Sequence, residues 1–250
     1  MARMENAVFD ETPKLNAPIL IEGLPGVGNV GKTAADYLAE KLNAKKFATL
    51  YSRHFPPQVT IDRDCVAHLA SNSLHYAKNV NGLDLIFILG DCQGLTPEGQ
   101  FELAEEFMRI AVSMKVSKIF TLGGYGTGSV VQDPRVLGAV SSASMKPELE
   151  KHGVTFAPGE PSTGIMGASG LILGMAKLNG MDAACLMGET SGYFVDPKSS
   201  SVLLKALLGI LDLDVDTKEL DERSQQMDEF NSKIKEIAEG QNKDQLGYIG

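Results

Sequence analysis

Residues 26–33 have the side chains and spacing of a phosphate-binding loop. The segment reads Gly-Val-Gly-Asn-Val-Gly-Lys-Thr, and it fits the pattern G-x-x-x-x-G-K-[ST] at every required position. In such a loop the backbone amides surround phosphate, Lys32 contacts the terminal phosphates and Thr33 holds Mg²⁺. The apolar run that ends at Asp91 would supply a metal-facing acid. One interpretation of Gly26 to Thr33 is therefore a nucleotide hydrolase.

The same glycines also have a purely structural interpretation. A tight turn from a first strand into a helix needs glycine, and so does close packing of that helix. Because the chain has 26 glycines, a glycine-rich pattern of this kind arises by chance more easily than in an average chain. No arginine stands out as a catalytic finger, and no base-recognition signature follows the loop. From the residues alone both interpretations stay open.

Other polar residues do not define a catalytic or metal site. Asp91, Glu98 and Glu102 follow an apolar strand, where α/β sheets commonly bind ligands, but Glu98 equally suits a helix start. Ser169 fits the nucleophile pattern G-x-S-x-G only loosely, because Leu171 stands where the second glycine is required. The four histidines lack metal-ligand spacing. We therefore predict no catalytic, cofactor-binding or metal-binding residue.

Short apolar runs alternate with helical patterns along most of the chain. Strands are expected at residues 18–21, 48–51, 65–70, 83–89, 117–122 and 182–187, and helices at 30–42, from 97 onward and at 170–178. This alternation predicts an α/β fold, a sheet flanked by helices. The helix after Thr96 has clear start signals, because Thr96 suits the N-cap and Pro97 the first turn. Its predicted inner face carries Phe101 and Phe107, with Ala104 and Ala111.

Length, charge and composition exclude several classes of protein. The 250 residues suffice to bury a sizeable core, and a net charge of −9 argues against a nucleic-acid binder. No run approaches a membrane span, and residues 1–13 lack signal-peptide features. Cys65, Cys92 and Cys185 are far apart in apolar surroundings, which indicates reduced core thiols. We expect a cytoplasmic protein that binds neither nucleic acid nor membrane.

After residue 214 the sequence becomes strongly charged, with apolar residues at fixed spacing. This nearly heptad seam, interrupted by Arg223, consists of Leu220, Met227, Phe230, Ile234 and Ile237. An amphipathic helix more often packs on its own domain, but heptad spacing with dense charge elsewhere favours self-association. We predict an oligomerisation arm over residues 215–239. It follows an N-terminal segment (1–16) and an α/β domain (17–214).

The last eleven residues, 240–250, are polar until they end in apolar and aromatic side chains. Leu246, Tyr248 and Ile249 precede the carboxylate of Gly250. An aromatic anchor with apolar neighbours and a free carboxylate can be captured by a pocket on a partner. Folding back on the domain is the alternative, and we predict a flexible docking tail.

An ordered set of short motifs resembles the proteasome assembly chaperone family, in its archaeal branch. The resemblance covers residues 18–211. The motifs are residues 21–31 (Ile-Glu-Gly-Leu-Pro-Gly-Val-Gly-Asn-Val-Gly), 54–57 (His-Phe-Pro-Pro), 90–93 (Gly-Asp-Cys-Gln), 123–125 (Gly-Gly-Tyr) with Gly128, 164–165 (Gly-Ile), 167–170 (Gly-Ala-Ser-Gly) and 188–193 (Gly-Glu-Thr-Ser-Gly-Tyr). No single motif is decisive, but their order is specific.

This resemblance implies a fold similar to nucleoside phosphorylases and a function without catalysis. Relatives form homo-oligomers and bind 20S proteasome α-subunits, some of them as ATP-independent activators of the assembled particle. Binding uses a tail that ends in hydrophobic-Tyr-any residue, whereas Tyr248 here is third from the end. The glycine loop of the family resembles a phosphate loop without being known to act as one. The alternatives are an NTPase and a small-ligand enzyme with the phosphorylase-like fold.

Overall fold

A computed structural model of the chain describes residues 7–160 and 164–226. In chain order the strands are β1 (Ala7–Phe9), β2 (Ile19–Glu22), β3 (Lys45–Leu50), β4 (Val59–Ile61), β5 (Ala67–Leu69), β6 (Asn72–Val80), β7 (Leu83–Gly90), β8 (Lys118–Gly126), β9 (Val136–Val140), β10 (Val154–Thr155) and β11 (Asp182–Thr190). The helices are α1 (Val30–Lys41), α2 (Pro97–Ser113), α3 (Lys146–Glu150), α4 (Ala168–Leu178) and α5 (Pro197–Leu211). Residues 218–226 are also helical.

Nine strands form one mixed sheet in the order β1-β3-β6-β7-β2-β8-β11-β9-β10. Its centre is parallel, because β2 pairs in parallel with β7 and β8, and β8 pairs in parallel with β11. The pairs β1–β3, β3–β6, β6–β7 and β9–β11 are antiparallel. A continuous apolar run such as β7 suits this central position, because helices cover both faces of the strand.

Helices cover the two faces of the sheet and enclose a core on each side. On one face α1 packs against α5, and on the other α2 packs against α4. The first core includes Val30, Phe87 and Leu207, and the second includes Ile86 and Phe107. Alternate residues of β7 therefore enter opposite cores, as the side-chain period of a strand requires. The predicted α/β fold with flanking helices is confirmed.

The start signal predicted for α2 is confirmed. Thr96 Oγ1 accepts a hydrogen bond from the Gly99 amide at 3.1 Å, which makes Thr96 the N-cap of α2. At the start of α5, a helix that was not predicted from the sequence, Asp196 Oδ1 accepts a hydrogen bond from the Ser199 amide at 2.9 Å. Phe107 is buried as expected, but Phe101 is 52% exposed, so the prediction that both lie on the inner face was wrong for Phe101.

The cysteines differ in environment more than the sequence suggested. Cys185 is buried and Cys92 is partly buried, but Cys65 is exposed in the turn that joins β4 to β5. All three thiols are free. The prediction of core thiols is therefore corrected for Cys65, because this two-stranded hairpin stands outside the large sheet.

The start of the predicted oligomerisation arm packs on the α/β domain. Leu220 is fully buried and belongs to the same core as Tyr37 and Leu213. The Tyr37 hydroxyl donates to the Asp216 carbonyl at 2.9 Å, and Lys41 Nζ lies 3.0 Å from Glu219. Leu220 is therefore corrected from an oligomerisation residue to a core residue of its own chain. The packed core extends past the boundary that we expected at residue 214.

Candidate functional site

The glycine loop between β2 and α1 forms a short 3₁₀ turn rather than an open cradle. This turn spans Val27–Asn29, and the Asn29 amide donates to the Gly26 carbonyl at 3.0 Å. Gly28 has φ +60°, which favours glycine, and Asn29 adopts the left-handed region as well. The amide of Asn29 is thus used within the loop itself.

Close packing against β8 explains two glycines of this region. A Cβ on Gly31 would overlap the Leu122 carbonyl, and one on Gly124 would overlap the Val27 carbonyl. Helix α1 and its preceding turn therefore approach the backbone of β8 directly. This is the structural role that the sequence left open, and it needs no ligand.

Lys32 is held by protein groups. Its Nζ donates to the Gly90 carbonyl at the end of β7 at 2.9 Å, and it lies 2.9 Å from Asp36 Oδ2. A lysine that serves terminal phosphates must instead reach back over the loop amides. The geometry of Lys32 consequently favours the structural interpretation of the loop over the NTPase interpretation.

A cleft of about 550 Å³ opens where the carboxyl ends of β2, β8 and β11 meet. Ligands commonly bind at this edge of parallel sheets. Its lining includes the apolar side chains of Leu24, Val27, Leu122, Ile165, Met166 and Met187, together with Gln93, Gln100, Ser169 and Cys185. The cleft thus has a mostly apolar wall with a few polar groups.

Glu22, the last residue of β2, is fully buried behind this cleft. Ser169 Oγ donates to Glu22 Oε2 at 2.8 Å, and the Leu24 amide donates to Oε1 at 3.0 Å. Burial raises the pKa of Glu22 to about 7, although both hydrogen bonds oppose the shift. At neutral pH this carboxyl group is therefore close to its titration midpoint.

Gln93 connects the glycine loop to α4. Its Nε2 donates to the Pro25 carbonyl at 2.7 Å, and its Oε1 accepts from the Ala168 amide at 2.9 Å. The preceding Gly167 has φ +82° and permits the sharp entry into the helix. One side chain thereby fixes the N-terminus of α4, and with it Ser169, relative to the loop.

Cys185 on β11 is a second buried titratable group beside Glu22. Burial raises the pKa of its thiol to about 12, and nearby Glu22 raises the pKa further while a hydrogen bond with Thr121 lowers it. The thiol therefore stays protonated and uncharged at neutral pH.

The acidic residues named in the sequence have separate partners. Glu102 lies 3.0 Å from His54 Nε2, and Asp91 Oδ2 accepts weakly from the Ser71 amide at 3.5 Å. Glu98 lies in the first turn of α2. Over residues 7–160 and 164–226 no group of three or more His, Cys, Asp or Glu side chains is placed to hold a metal ion.

Exposed apolar side chains lie at the same edge of the sheet as the cleft. Met166 is 91% exposed and Tyr193 is 72% exposed, and Val27, Phe194 and Val195 are exposed as well. Apolar side chains concentrated at one edge are typical of surfaces that contact a partner. No helix in the part of the chain that the structure describes is long and apolar enough to cross a membrane.

Most residues predicted to carry function lie outside the described part of the chain. These are the docking residues Leu246, Tyr248, Ile249 and Gly250 and the seam residues Met227, Phe230, Ile234 and Ile237. Glu22, the partner of Ser169, was not among the residues predicted to carry function. A single charged residue at the end of the apolar run Ile-Leu-Ile was the available signal.

Comparison with known proteins assigns the family. A model described as the PAC2 family matches residues 20–235, which is most of the chain. The chain belongs to the PAC2 family. The resemblance to proteasome assembly chaperones that the motifs indicated is thus confirmed.

Several PAC2 relatives are similar over nearly the whole chain. A crystal structure of PbaB from Pyrococcus furiosus, an archaeal proteasome activator, is 38% identical, with a TM-score of 0.87, covering 93% of this chain and 100% of PbaB. PbaA from the same organism, an archaeal homologue of proteasome-assembly chaperone, is 26% identical with a TM-score of 0.76, covering 97% and 98%. The uncharacterized protein MJ1210 of Methanocaldococcus jannaschii is 36% identical, covering 93% of this chain and 88% of MJ1210.

Proposed function

We propose that this PAC2 protein acts on the 20S proteasome as an assembly chaperone or ATP-independent activator, a role that itself requires no catalysis. The observation that carries the proposal is the likeness to PbaB, a proteasome activator, which is 38% identical over 93% of this chain. The alignment covers the full length of PbaB, with a TM-score of 0.87. Binding to this partner would place the protein in the cytoplasm.

Residues 240–250 would make the contact with the proteasome α-ring. Tyr248 supplies an aromatic anchor, Leu246 and Ile249 supply apolar neighbours, and the Gly250 carboxylate can pair with a basic group. Fully extended, the ten residues 241–250 reach roughly 33 Å, which is enough to enter a pocket on a partner. The net charge of −9 would suit a basic rim around that pocket.

Self-association would present several weak tails at once. A ring with repeated pockets then binds them with an avidity that far exceeds the affinity of one tail. Met227, Phe230, Ile234 and Ile237 keep the heptad spacing that such association requires.

Binding to purified archaeal 20S proteasome tests the proposal, with peptide hydrolysis followed in parallel. We expect the full chain to bind, a chain ending at Asp244 not to bind, and Tyr248→Ala to weaken binding far more than the matched change Gln245→Ala. Faster hydrolysis would identify an activator, and binding without faster hydrolysis an assembly chaperone. Binding that survives truncation would move the contact to the α/β domain, and no binding by either chain would contradict the function.

A further inference from the structure

Ser169 lies between the cleft and a buried carboxyl group. It is the second residue of α4 and lines the cleft, whereas Glu22 behind it is inaccessible to solvent. Their hydrogen bond of 2.8 Å joins residues from β2 and α4 that are 147 positions apart. Packing of α4 against the sheet therefore brings a serine that lines the cleft into contact with a carboxyl group that is buried behind it.

This arrangement has the parts of an activated nucleophile. A serine hydroxyl becomes nucleophilic when a base within hydrogen-bond reach accepts its proton. The Leu24 amide holds the other oxygen of Glu22 at 3.0 Å, so the carboxylate has a fixed orientation. The Ala168 amide at the start of α4 already donates to Gln93, but the next amides of this first turn have no partner within the helix and can stabilise negative charge. Ser169 stands in that first turn of α4.

We propose that the cleft is an acyl-transfer site in which Ser169 is the nucleophile and Glu22 is the general base. Ser169 Oγ attacks the carbonyl carbon of an ester and forms the new C–O bond, and its proton passes to Glu22 Oε2. The C–O bond to the leaving group, an acidic alcohol such as a phenol, then breaks, and the leaving group departs as an anion that takes its proton from water in the open cleft. The hydroxide formed attacks the acyl-serine carbon, the C–O bond to Ser169 Oγ breaks, the carboxylic acid leaves, and Oγ recovers its proton from Glu22.

The lining of the cleft defines the class of substrate. Its wall is largely apolar, with Leu24, Leu122, Ile165 and Met187 among the side chains, and its volume is about 550 Å³. Small esters with an uncharged, apolar acyl group fit this wall. Gln93 and Gln100 also line the cleft, but their side-chain amides already bond backbone groups of the protein, so the lining suits an apolar substrate.

Labelling of the full chain with an alkyl fluorophosphonate tests the proposal directly. Serine attack on phosphorus expels fluoride and leaves a stable adduct that peptide mass spectrometry locates. We expect one adduct, on Ser169, which Ser169→Ala removes and the exposed control Ser142→Ala retains. No adduct on Ser169 of the wild-type protein, or an equal extent of labelling on Ser142, overturns the proposal whether or not the variant folds.

The pH dependence of labelling tests the role of Glu22. The rate should rise about tenfold from pH 6 to pH 8, because the base must be ionised to accept the proton. The other titratable group beside it, Cys185 on β11, stays uncharged over this range. Glu22→Gln should lower the rate at pH 8 at least tenfold. A rate independent of both pH and Glu22 would exclude Glu22 as the base.

This activity is separate from proteasome binding, and the two can fail independently. We expect Ser169→Ala to bind the 20S proteasome as the wild-type chain does, since the proposed docking residues lie in the tail. We also expect a chain ending at Asp244 to retain the Ser169 adduct. Loss of the adduct in that truncated chain would contradict an acyl-transfer site confined to the α/β domain.

Discussion

Glu22 places an ionisable group in a region of the core that excludes water. Its two hydrogen bonds, from Ser169 and Leu24, stabilise the charged form, but desolvation outweighs them and raises the pKa to about 7. In the unfolded chain this group has its ordinary value of 4.5. Stability must then depend on pH through this one residue.

Between pH 4.5 and about 7 the folded state holds the Glu22 proton more tightly than the unfolded state does. The stabilisation is thus complete below pH 4.5 and is lost as pH rises through about 7, a total of about 3 kcal/mol. The Glu22→Gln variant does not lose this stability, because a glutamine cannot ionise. The free energy of unfolding of the variant minus that of wild type should therefore increase by up to about 3 kcal/mol between roughly pH 5 and pH 8. Urea denaturation at both pH values measures this, and equal pH dependence in the two proteins would contradict the raised pKa.

Gly31 and Gly26 belong to the same loop but have different surroundings. A Cβ on Gly31 would overlap the backbone of Leu122, whereas the nearest atom to one on Gly26 is the Leu24 carbonyl at 3.9 Å. Gly31→Ala should therefore lower the free energy of unfolding by about 3 kcal/mol, because neither backbone can yield easily. The matched change Gly26→Ala should cost less than about 0.5 kcal/mol. Similar losses for both variants, measured in urea, would mean that close packing is not what Gly31 provides.

The helix that begins at residue 218 has the predicted apolar spacing, but its first apolar residue packs against its own domain and not against another chain. Its apolar residue Leu220 contacts the core of its own chain. Polar contacts reinforce this position, because Lys205 Nζ of α5 lies 2.8 Å from Asp221 and Lys41 Nζ of α1 lies 3.0 Å from Glu219. The first turns of the helix are thus part of the α/β domain.

Leu220→Ala should lower the free energy of unfolding by roughly 2–5 kcal/mol, because it removes a fully buried leucine and leaves a cavity. The mass measured by sedimentation should stay that of the wild-type protein. Gln225→Ala, an exposed position on the same helix, should change neither quantity. A lower mass with unchanged stability would return Leu220 to an interface between chains.

The strength of binding to the 20S proteasome should depend on how many of the tails formed by residues 240–250 act together. The double variant Met227→Glu and Ile234→Glu places charge on the predicted seam and should lower the mass in sedimentation. Proteasome binding should then weaken at least 100-fold, roughly the gain that avidity provides. The control Gln225→Glu and Ser232→Glu adds the same charge at positions off the seam. An unchanged mass in the seam variant, or equal effects of the two variants, would contradict the oligomerisation arm.

The amino-acid sequence predicted the class of fold, several of the helices and strands and the family, but not β6, β9 or α5. Apolar periodicity, the N-cap at Thr96 and the buried strand β7 depend on neighbouring residues, so they are legible without a structure. The ordered motifs likewise predicted the family that the comparisons show. The tail and its docking residues remain predictions of the sequence.

Which residues meet across long distances in the sequence depends on the packing of the helices against the sheet. Glu22 and Ser169 lie 147 positions apart, and each belongs to a locally ordinary segment. The glycine loop fits a phosphate-binding pattern in the sequence, but in the structure Lys32 Nζ donates to the carbonyl of Gly90, which favours a structural role for the loop. Leu220 had the correct spacing for a seam, but spacing defines the apolar face of a helix and not the surface against which that face packs. Such contacts depend on how the elements are arranged in space, which no local pattern encodes.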